Sequence, residues 1–411
     1  MTPRPSPPAV VLALVASAAL ASAQAVAPKA AAAKTPPAKT ATAAPATPAV
    51  SFDEARQRAA AARDKGDGAE AVRWYREGVR QKPSWDEGWW YLGALSYERQ
   101  DSAQAARAFG RFVALKPDSG PGWALRGLSE FDRKQYDAAL RYLARGLSLG
   151  TVGNAEIRDT VYYHMAVLRL RAGQFPLAVE PLSALARVKS ETPQLVAACG
   201  LFVLKMAMLP ADVPAGQLEM VQAAGRAGYS ALGLKPDAQA RFDELLARYP
   251  TTPNLHYAYG GFLLQLGQDH ADAALAAFRK ELEIDPKSVY AQLEIAFELL
   301  KRGEHAEAKP YAEAAVRLAP GLFAAHHALG RVLVETGDVP RGVAELEEAT
   351  RLAPDSPDMH AALARAYVTA GRRADAERER DIYRKLQIDR EKNRLPGFAR
   401  EDTVPAQGRK P

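Results

Sequence analysis

The feature that most constrains this chain is a block of 34 residues that is followed at once by a second version of itself. The first block covers residues 287–320 and the second covers residues 321–354, and both end in Arg-Leu-Ala-Pro. When the blocks are aligned, Gly303 meets Gly337. A fixed period of this length predicts stacked supersecondary units, each touching only its neighbours, instead of one compact core.

The pattern inside one block predicts a pair of antiparallel helices. Apolar and small residues over 291–300 recur at spacings of three and four, which places them on one face of an α-helix. Gly303 can adopt the left-handed conformation that ends this helix. A second helix is predicted over 304–318, and Pro320 cannot continue it. One such hairpin has little apolar surface, so neighbouring hairpins must cover each other.

The spacing of small residues identifies a family. Counted from Val289 and from Phe323, both blocks carry a small residue at the eighth position, Gly at the fifteenth, Ala near the twentieth and twenty-seventh, and Pro at the thirty-second. This pattern closely resembles the tetratricopeptide repeat. The resemblance implies an all-α fold, a right-handed α-solenoid of about eight to nine helical hairpins that is degenerate in the middle. It also implies that the first helices line a concave groove that holds another protein.

The repeats divide the folded part of the chain. Pro83 and Pro117 are one period apart, so the pattern extends toward the N-terminus, and an insertion over 150–158 displaces the fourth repeat. We expect four segments: an N-terminal array over 51–192, degenerate helical repeats over 193–252, a C-terminal array over 253–376 and a charged capping helix over 377–394.

The middle segment departs from the pattern. A first helix is predicted over 194–209, but Pro210 and Pro214 interrupt the place where its partner should begin. Two further helices are predicted over 216–232 and 237–249. We expect this part to form one and a half irregular repeats, with a possible bend in the solenoid.

The terminal segments are predicted to lie outside the fold. Residues 1–23 combine a short apolar run with a small-x-small site, which predicts a signal peptide cleaved after Ala23; an uncleaved anchor is the alternative. Residues 24–50 read as an Ala/Pro/Lys-rich disordered linker, and 395–411 as a disordered tail. The expected location is periplasmic or secreted. Cys199 is the only cysteine, so no internal disulfide can form.

Composition and motifs narrow the function. A net charge of +6 is slight for 411 residues, and acidic residues are interspersed, so nucleic acid is not an expected partner. The mature chain has no predicted membrane span. We find no HExxH, GxSxG or Walker motif, and therefore expect no cofactor, no metal and no enzyme activity. An active site in the cleft is a minor alternative.

The family's groove positions can be carried over residue by residue. These positions lie on the first helix of each repeat, and they combine aromatic and basic side chains: Trp90, Tyr97, Phe131, Tyr163, Tyr257, Tyr290, Phe297, Arg331 and Arg365. Further basic residues on the same surface are Arg56, Arg63, Arg171 and Lys301. Aromatic residues at helical spacing also form cores, so core packing is the alternative for each. We expect Trp90 and Tyr97 to be exposed, because Trp89 takes the core position.

Two histidines were weighed as metal ligands. His326 and His360 occupy the same repeat position on adjacent first helices. Zinc needs at least three protein ligands, and no third is apparent. We therefore expect both to be hydrogen-bonded core histidines.

The leading functional hypothesis is an exported scaffold that binds a partner protein, as an extended peptide or a helix, in cell-envelope assembly. The alternative is a glycan-binding or peptidoglycan-binding module that uses the groove aromatics as stacking platforms. Self-association through the repeat ends remains open.

Overall fold

The computed structural model describes residues 50–150 and 155–392, and these residues form two compact units, one ending at Lys189 and one starting at Ser190. The predicted signal peptide, nearly all of the linker, part of the 150–158 insertion and the C-terminal tail lie outside the described residues. The described residues of the first unit form eight α-helices: α1 (Phe52–Asp64), α2 (Gly68–Gln81), α3 (Asp86–Glu98), α4 (Ser102–Leu115), α5 (Gly120–Asp132), α6 (Tyr136–Ser148), α7 (Ala155–Arg171) and α8 (Phe175–Val188).

The second unit begins with three irregular helices and continues with four hairpins. The described helices are α9 (Pro193–Val203), α10 (Leu218–Leu232), α11 (Ala238–Arg248), α12 (Leu255–Leu266), α13 (Ala271–Ile284), α14 (Val289–Arg302), α15 (His305–Leu318), α16 (Phe323–Glu335), α17 (Val339–Leu352), α18 (Pro357–Thr369) and α19 (Arg373–Lys392). The all-α solenoid class, with helical hairpins and a degenerate middle, is confirmed. None of the described helices combines the length and apolarity needed to cross a bilayer.

Regular hairpins close where a small residue lets two helices touch. In four of them a glycine of the first helix faces a large side chain of the second, and a Cβ on that glycine would lie closer to this side chain than the sum of two carbon van der Waals radii. The pairs and the distances from the added Cβ are Gly93 with Phe109 at 2.8 Å, Gly127 with Leu143 at 2.7 Å, Gly260 with Phe278 at 2.5 Å and Gly330 with Leu346 at 2.6 Å. The period therefore requires a small residue here for steric reasons.

A recurring hydrogen bond stabilises the turn between repeats. A side-chain N–H near the start of a first helix donates to the carbonyl of the proline six residues earlier. The distance is 2.8 Å from Trp89 to Pro83 and from His326 to Pro320. The same bond recurs four more times: Trp123 with Pro117, His256 with Pro250, Gln292 with Pro286 and His360 with Pro354. Each bond satisfies a carbonyl that the ending helix leaves without a partner.

The irregular middle is built on close backbone contact. Helix α9 ends at Val203 and not near residue 209, because Lys205 adopts a left-handed conformation with a φ of 52° and two short 3₁₀ turns follow. A Cβ on Gly200 would lie 2.0 Å from the Val221 carbonyl oxygen, and a Cβ on Gly225 would lie 2.0 Å from the Val196 carbonyl oxygen. These glycines weaken a helix in isolation, but here they let α9 and α10 pack backbone to backbone.

The last hairpin ends in one long polar helix. Helix α19 is continuous from Arg373 to Lys392, so the second helix of the final repeat and the predicted charged cap are the same element. Its exposed side carries several ion pairs between residues three apart in the sequence, including Arg380 with Glu377 at 2.5 Å. A charged outer face is what an open-ended repeat array requires for solubility.

The hairpin contact predicts opposite effects for two neighbouring glycines of α12. Gly260→Ala should destabilise the protein by about 1–3 kcal/mol, because the new methyl group overlaps the Phe278 ring. Gly261→Ala meets nothing within 4 Å and should stabilise by about 0.5–1 kcal/mol, because alanine restricts the unfolded chain more than glycine does. Chemical denaturation followed by circular dichroism measures both. Equal effects from the two variants would contradict the close contact.

Candidate partner-binding groove

The two aromatic residues expected to be most exposed are core residues, and this prediction was wrong. Trp90 is only 6% exposed and Tyr97 only 7%. The Trp90 ring packs against Phe109 and Phe112 of α4, with centroids 5.9 and 5.0 Å away. Trp89 was assigned to the core, but it is half-buried and its indole N–H serves the turn at Pro83. The indole N–H of Trp89 has a hydrogen-bond partner in the Pro83 carbonyl, whereas the buried indole N–H of Trp90 has none. Trp89 therefore stays at the turn, and Trp90 occupies the core position that was predicted for Trp89.

Trp90 lines a cavity, and Tyr97 is hydrogen-bonded to the next repeat. The edge of Trp90 lines a cavity of about 640 Å³ at the junction of α3, α4 and α5. Tyr97 donates a hydrogen bond to Asp132 at the end of α5, and burial raises the pKa of Tyr97 well above its usual value. Desolvation likewise raises the pKa of Asp132, to about 6. These contacts hold repeats together and leave little of either ring for a ligand.

Phe131 and Tyr163 form a half-buried cluster in the first unit. Both rings make T-shaped contacts with the His164 ring, with centroid distances of 4.7 Å from Phe131 and 5.4 Å from Tyr163. The His164 Nδ1–H donates to the Thr160 carbonyl at 2.8 Å, and burial lowers the pKa of the ring. The ring is therefore neutral, and this part of the groove offers an apolar surface.

Sequence reasoning missed the residue at the centre of the second unit's groove, which is Lys205. Its ammonium lies 4.3 Å from the ring centroid of Phe202, 5.0 Å from that of Tyr257 and 5.5 Å from that of Tyr290. The Tyr257 and Tyr290 rings are themselves 5.8 Å apart. The available signal was a single lysine at the end of an otherwise apolar helix. A buried cation needs compensation, and here aromatic faces supply it.

Backbone bonds hold this cluster in place. Asn254, with a φ of 71°, precedes α12 and donates from its side chain to the Leu204 carbonyl at 3.2 Å. The buried carboxylate of Glu281 accepts from the backbone N–H of Asn254 at 2.6 Å and of Tyr257 at 3.2 Å. The start of α12 is thus joined to both α13 and the residue preceding Lys205. Capping by an acidic group also suits the positive end of the helix dipole.

The remaining predicted groove residues follow on α14, α16 and α18. Phe297 lies beside His327, with ring centroids 5.8 Å apart. Burial, together with the charges of Arg331 and Arg365, lowers the pKa of His327 to about 4. Desolvation and then the charge of Arg365 also lower the pKa of Arg331. The structure therefore brings together an apolar strip, a neutral histidine and two arginines that repel each other.

The arginine pair differs from the other basic residues expected on this surface. Arg56 pairs with Asp53 at 3.6 Å, Lys301 pairs with Glu298 at 3.1 Å, and the Arg171 guanidinium covers Tyr136 at 4.4 Å. Arg63 likewise contacts Asp64, Tyr75 and Tyr91. Among the described residues, no carboxylate lies within ion-pair distance of Arg331 or Arg365.

The two histidines considered as metal ligands are hydrogen-bonded core residues, as predicted. His326 Nδ1 lies 2.6 Å from the Glu345 carboxylate, and His360 Nδ1 lies 2.6 Å from that of Glu379. The other nitrogen of each ring donates to a proline carbonyl. Within residues 50–150 and 155–392, no group of three or more His, Cys, Asp or Glu side chains is placed to hold a metal ion.

Comparison with known families agrees with the repeat pattern. Residues 91–151 and 228–289 match one tetratricopeptide repeat model, and residues 299–365 match another. The chain therefore contains tetratricopeptide repeats in both units, and the last two segments cover all of α12 and α16 and most of α18. No curated protein matches the chain.

Solved structures give more distant similarities. A MamA fragment from Desulfovibrio magneticus RS-1 aligns at 21% identity, covering 42% of this chain and 96% of its own, with a TM-score of 0.38. YrrB, described as a TPR protein with an unusual peptide-binding site, aligns at 20% identity over 38% of this chain and 79% of its own, with a TM-score of 0.33. The Cut9–Hcn1 assembly aligns at 14% identity over 82% and 66%, with a TM-score of 0.34. These low scores establish no shared site.

The burial of Trp90 predicts a loss of stability on truncation. Trp90→Ala should cost about 3–5 kcal/mol, because it opens a cavity against Phe109 and Phe112. Trp90→Phe should cost no more than about 1.5 kcal/mol, because the buried indole N–H has no hydrogen-bond partner to lose. Denaturant titration distinguishes the two. If the Trp90→Ala variant had the same free energy of unfolding as the unchanged protein, the buried position of Trp90 would be contradicted and an exposed groove position would be favoured.

Lys205 should titrate near neutrality. Burial lowers its pKa to about 8, against an ordinary value of 10.5, and Glu294 partly opposes the shift. Between pH 8 and 10.5 the unfolded chain holds this proton more tightly than the folded chain, so the contribution of Lys205 to stability rises with pH. NMR of the lysine Cε resonance should show a midpoint near 8, absent in Lys205→Met. A titration midpoint near the ordinary lysine pKa of 10.5 would contradict the burial of Lys205 among Phe202, Tyr257 and Tyr290.

Proposed function

We propose that this protein is an exported repeat scaffold that binds an extended acidic segment of a partner protein along α12, α14, α16 and α18. The observation that carries the proposal is the pair Arg331 and Arg365, whose positive charges interact and which have no carboxylate within ion-pair distance among the described residues. On the same surface, Arg56 and Arg63 are paired with carboxylates, and Arg171 is covered by the Tyr136 ring. A carboxylate from a partner would bridge the two guanidinium groups through charge-assisted hydrogen bonds.

The rest of the strip supplies contact area. Tyr257, Tyr290 and Phe297 are half-buried, so their rings are held in place before a ligand arrives. Little side-chain entropy is lost when such rings are covered, and this favours binding of apolar side chains next to the acidic group. The neutral His327 lies between the aromatic part and the arginine pair and adds no third charge. The order along the helices is therefore aromatic and then basic.

The glycan-binding alternative has less support. Stacking on sugars requires flat, accessible rings, and the structure buries Trp90 and Tyr97. In the second unit, Tyr257 and Tyr290 adjoin Lys205, and Phe297 adjoins His327 next to the arginine pair, a setting that favours an anionic peptide. In the first unit, Phe131 and Tyr163 pack against His164, which leaves little of either ring for a flat sugar. Export, and a place in cell-envelope assembly, rest on the predicted signal at residues 1–23 and are part of the proposal.

Crosslinking in intact cells tests the partner and the site together. Val368 is 48% exposed and lies three residues after Arg365, so it shares that helix face. A photoreactive residue there should capture one dominant protein, and Arg331→Glu with Arg365→Glu should abolish the capture. Substituting both arginines by alanine should weaken binding of the purified partner by about 2 kcal/mol or more.

The control places the same photoreactive residue at Arg378, an exposed position on α19. Capture of the same protein from both positions would contradict a groove-specific partner. Capture of wall fragments alone would favour the glycan alternative. Deleting residues 1–23 should retain the protein in the cytoplasm, and unchanged fractionation would contradict export.

A further inference from the structure

A second basic site lies in the first unit, on different helices from the groove. A cavity of about 700 Å³ is lined by side chains of the second helices α2 and α4 and of the first helices α3 and α5. One carboxylate and six arginines face it: Glu130 with Arg76, Arg80, Arg107, Arg111, Arg126 and Arg133. We propose that this cavity binds an acidic peptide in which carboxylate side chains alternate with apolar ones.

The cavity retains positive charge after its internal ion pairs are counted. Glu130 is paired with Arg133 at 2.6 Å, and Arg80 is paired with Glu77 at 2.7 Å. Among the described residues, the other four arginines have no carboxylate within ion-pair distance. Carboxylates of a ligand that enter between these guanidinium groups would form charge-assisted hydrogen bonds with them.

Two polar groups in the wall lack hydrogen-bond partners. Gln104 is 8% exposed; its Oε1 accepts from Arg76, but its Nε2 has no partner. Arg126 donates through Nη2 to the Tyr142 hydroxyl at 2.8 Å and covers that ring at 3.9 Å, while its Nε has no partner. Buried donors without acceptors are rare in proteins. A ligand rich in acceptor oxygens would satisfy them after a small side-chain adjustment.

The apolar part of the wall favours a peptide over a small inorganic anion. Val79, Leu92 and the Trp89 ring line the same cavity as the arginines. The Trp89 N–H is already used by the Pro83 carbonyl, so the ring presents its apolar surface. Such a mixed wall fits side chains of alternating character, whereas phosphate alone would leave the apolar part uncovered.

The experiment uses the full chain and a fluorescent peptide of alternating Glu and Leu, measured by anisotropy. Arg107→Glu with Arg111→Glu should weaken binding by about tenfold or more. The milder Arg107→Gln with Arg111→Gln should lose part of that affinity, and both variants should keep the native melting temperature. Arg141→Glu with Arg145→Glu makes the same charge change at two exposed arginines of α6 outside the cavity, and should alter affinity less than about twofold.

Four outcomes would overturn the proposal. An equal loss of affinity in the α6 control would show that binding depends only on the net charge of the protein. Equal affinity for a peptide of alternating Gln and Leu would show that the carboxylates of the peptide are not recognised. Full displacement by an equal concentration of inorganic phosphate would make this a phosphate site. Loss of binding in Arg331→Glu with Arg365→Glu would place the probe in the groove of the second unit. That variant, tested with the cellular partner, also separates failure here from failure of the proposed function.

Discussion

Two helices of a hairpin can approach closely only where one of them has almost no side chain, and this steric constraint underlies the regular repeats. At Gly93 and Gly260 the facing ring fills the volume that a Cβ would need. Other repeats place Ala59, Ala166 or Ala296 at the same position, each fully buried. Close crossing fixes the rotation of the first helix, and that rotation decides which of its faces is left for a ligand. Tyr257 and Gly261 lie on the adjoining face of the helix that carries Gly260.

The proline carbonyl at a repeat boundary accepts a hydrogen bond from one side chain, which is a tryptophan, a histidine or a glutamine depending on the repeat. Tryptophan, histidine and glutamine share an N–H donor that can reach back six residues, and this shared donor is what the position requires. The requirement explains the reversed roles of Trp89 and Trp90. Trp89 occupies the donor position and stays half-buried at the turn, whereas Trp90 points into the contact with α4. It also explains His326 and His360, which follow the same rule as Trp123.

Electrostatics separates structural cations from candidate ligand-binding cations. Most basic residues near the groove are neutralised by a neighbouring carboxylate or covered by a ring, as Arg63 and Lys301 are. Lys205 is held by aromatic faces, so it belongs to the internal architecture of the second unit. Two groups of arginines without a carboxylate partner among the described residues are the candidates: the pair on α16 and α18, and the cluster lining the cavity of α2 and α4. Positive charge gathered on one surface without a carboxylate at ion-pair distance is the common physical reason to assign both groups to anionic ligands.

The sequence by itself determined the helical hairpins, their period, the irregular middle and the hydrogen-bonded histidines, because these follow from local spacing and from residue types that recur at fixed positions. It also placed Phe297, Arg331 and Arg365 on neighbouring first helices. Only the tertiary structure decided that Trp90 and Tyr97 are buried, that Lys205 joins Tyr257 and Tyr290, and that arginines from α2, α4 and α5 line one cavity. Exposure and charge pairing depend on contacts between residues far apart in the chain, such as Tyr97 with Asp132 and Asn254 with Leu204. A repeat position specifies the direction of a side chain, but its neighbours in space determine whether a ligand can reach it.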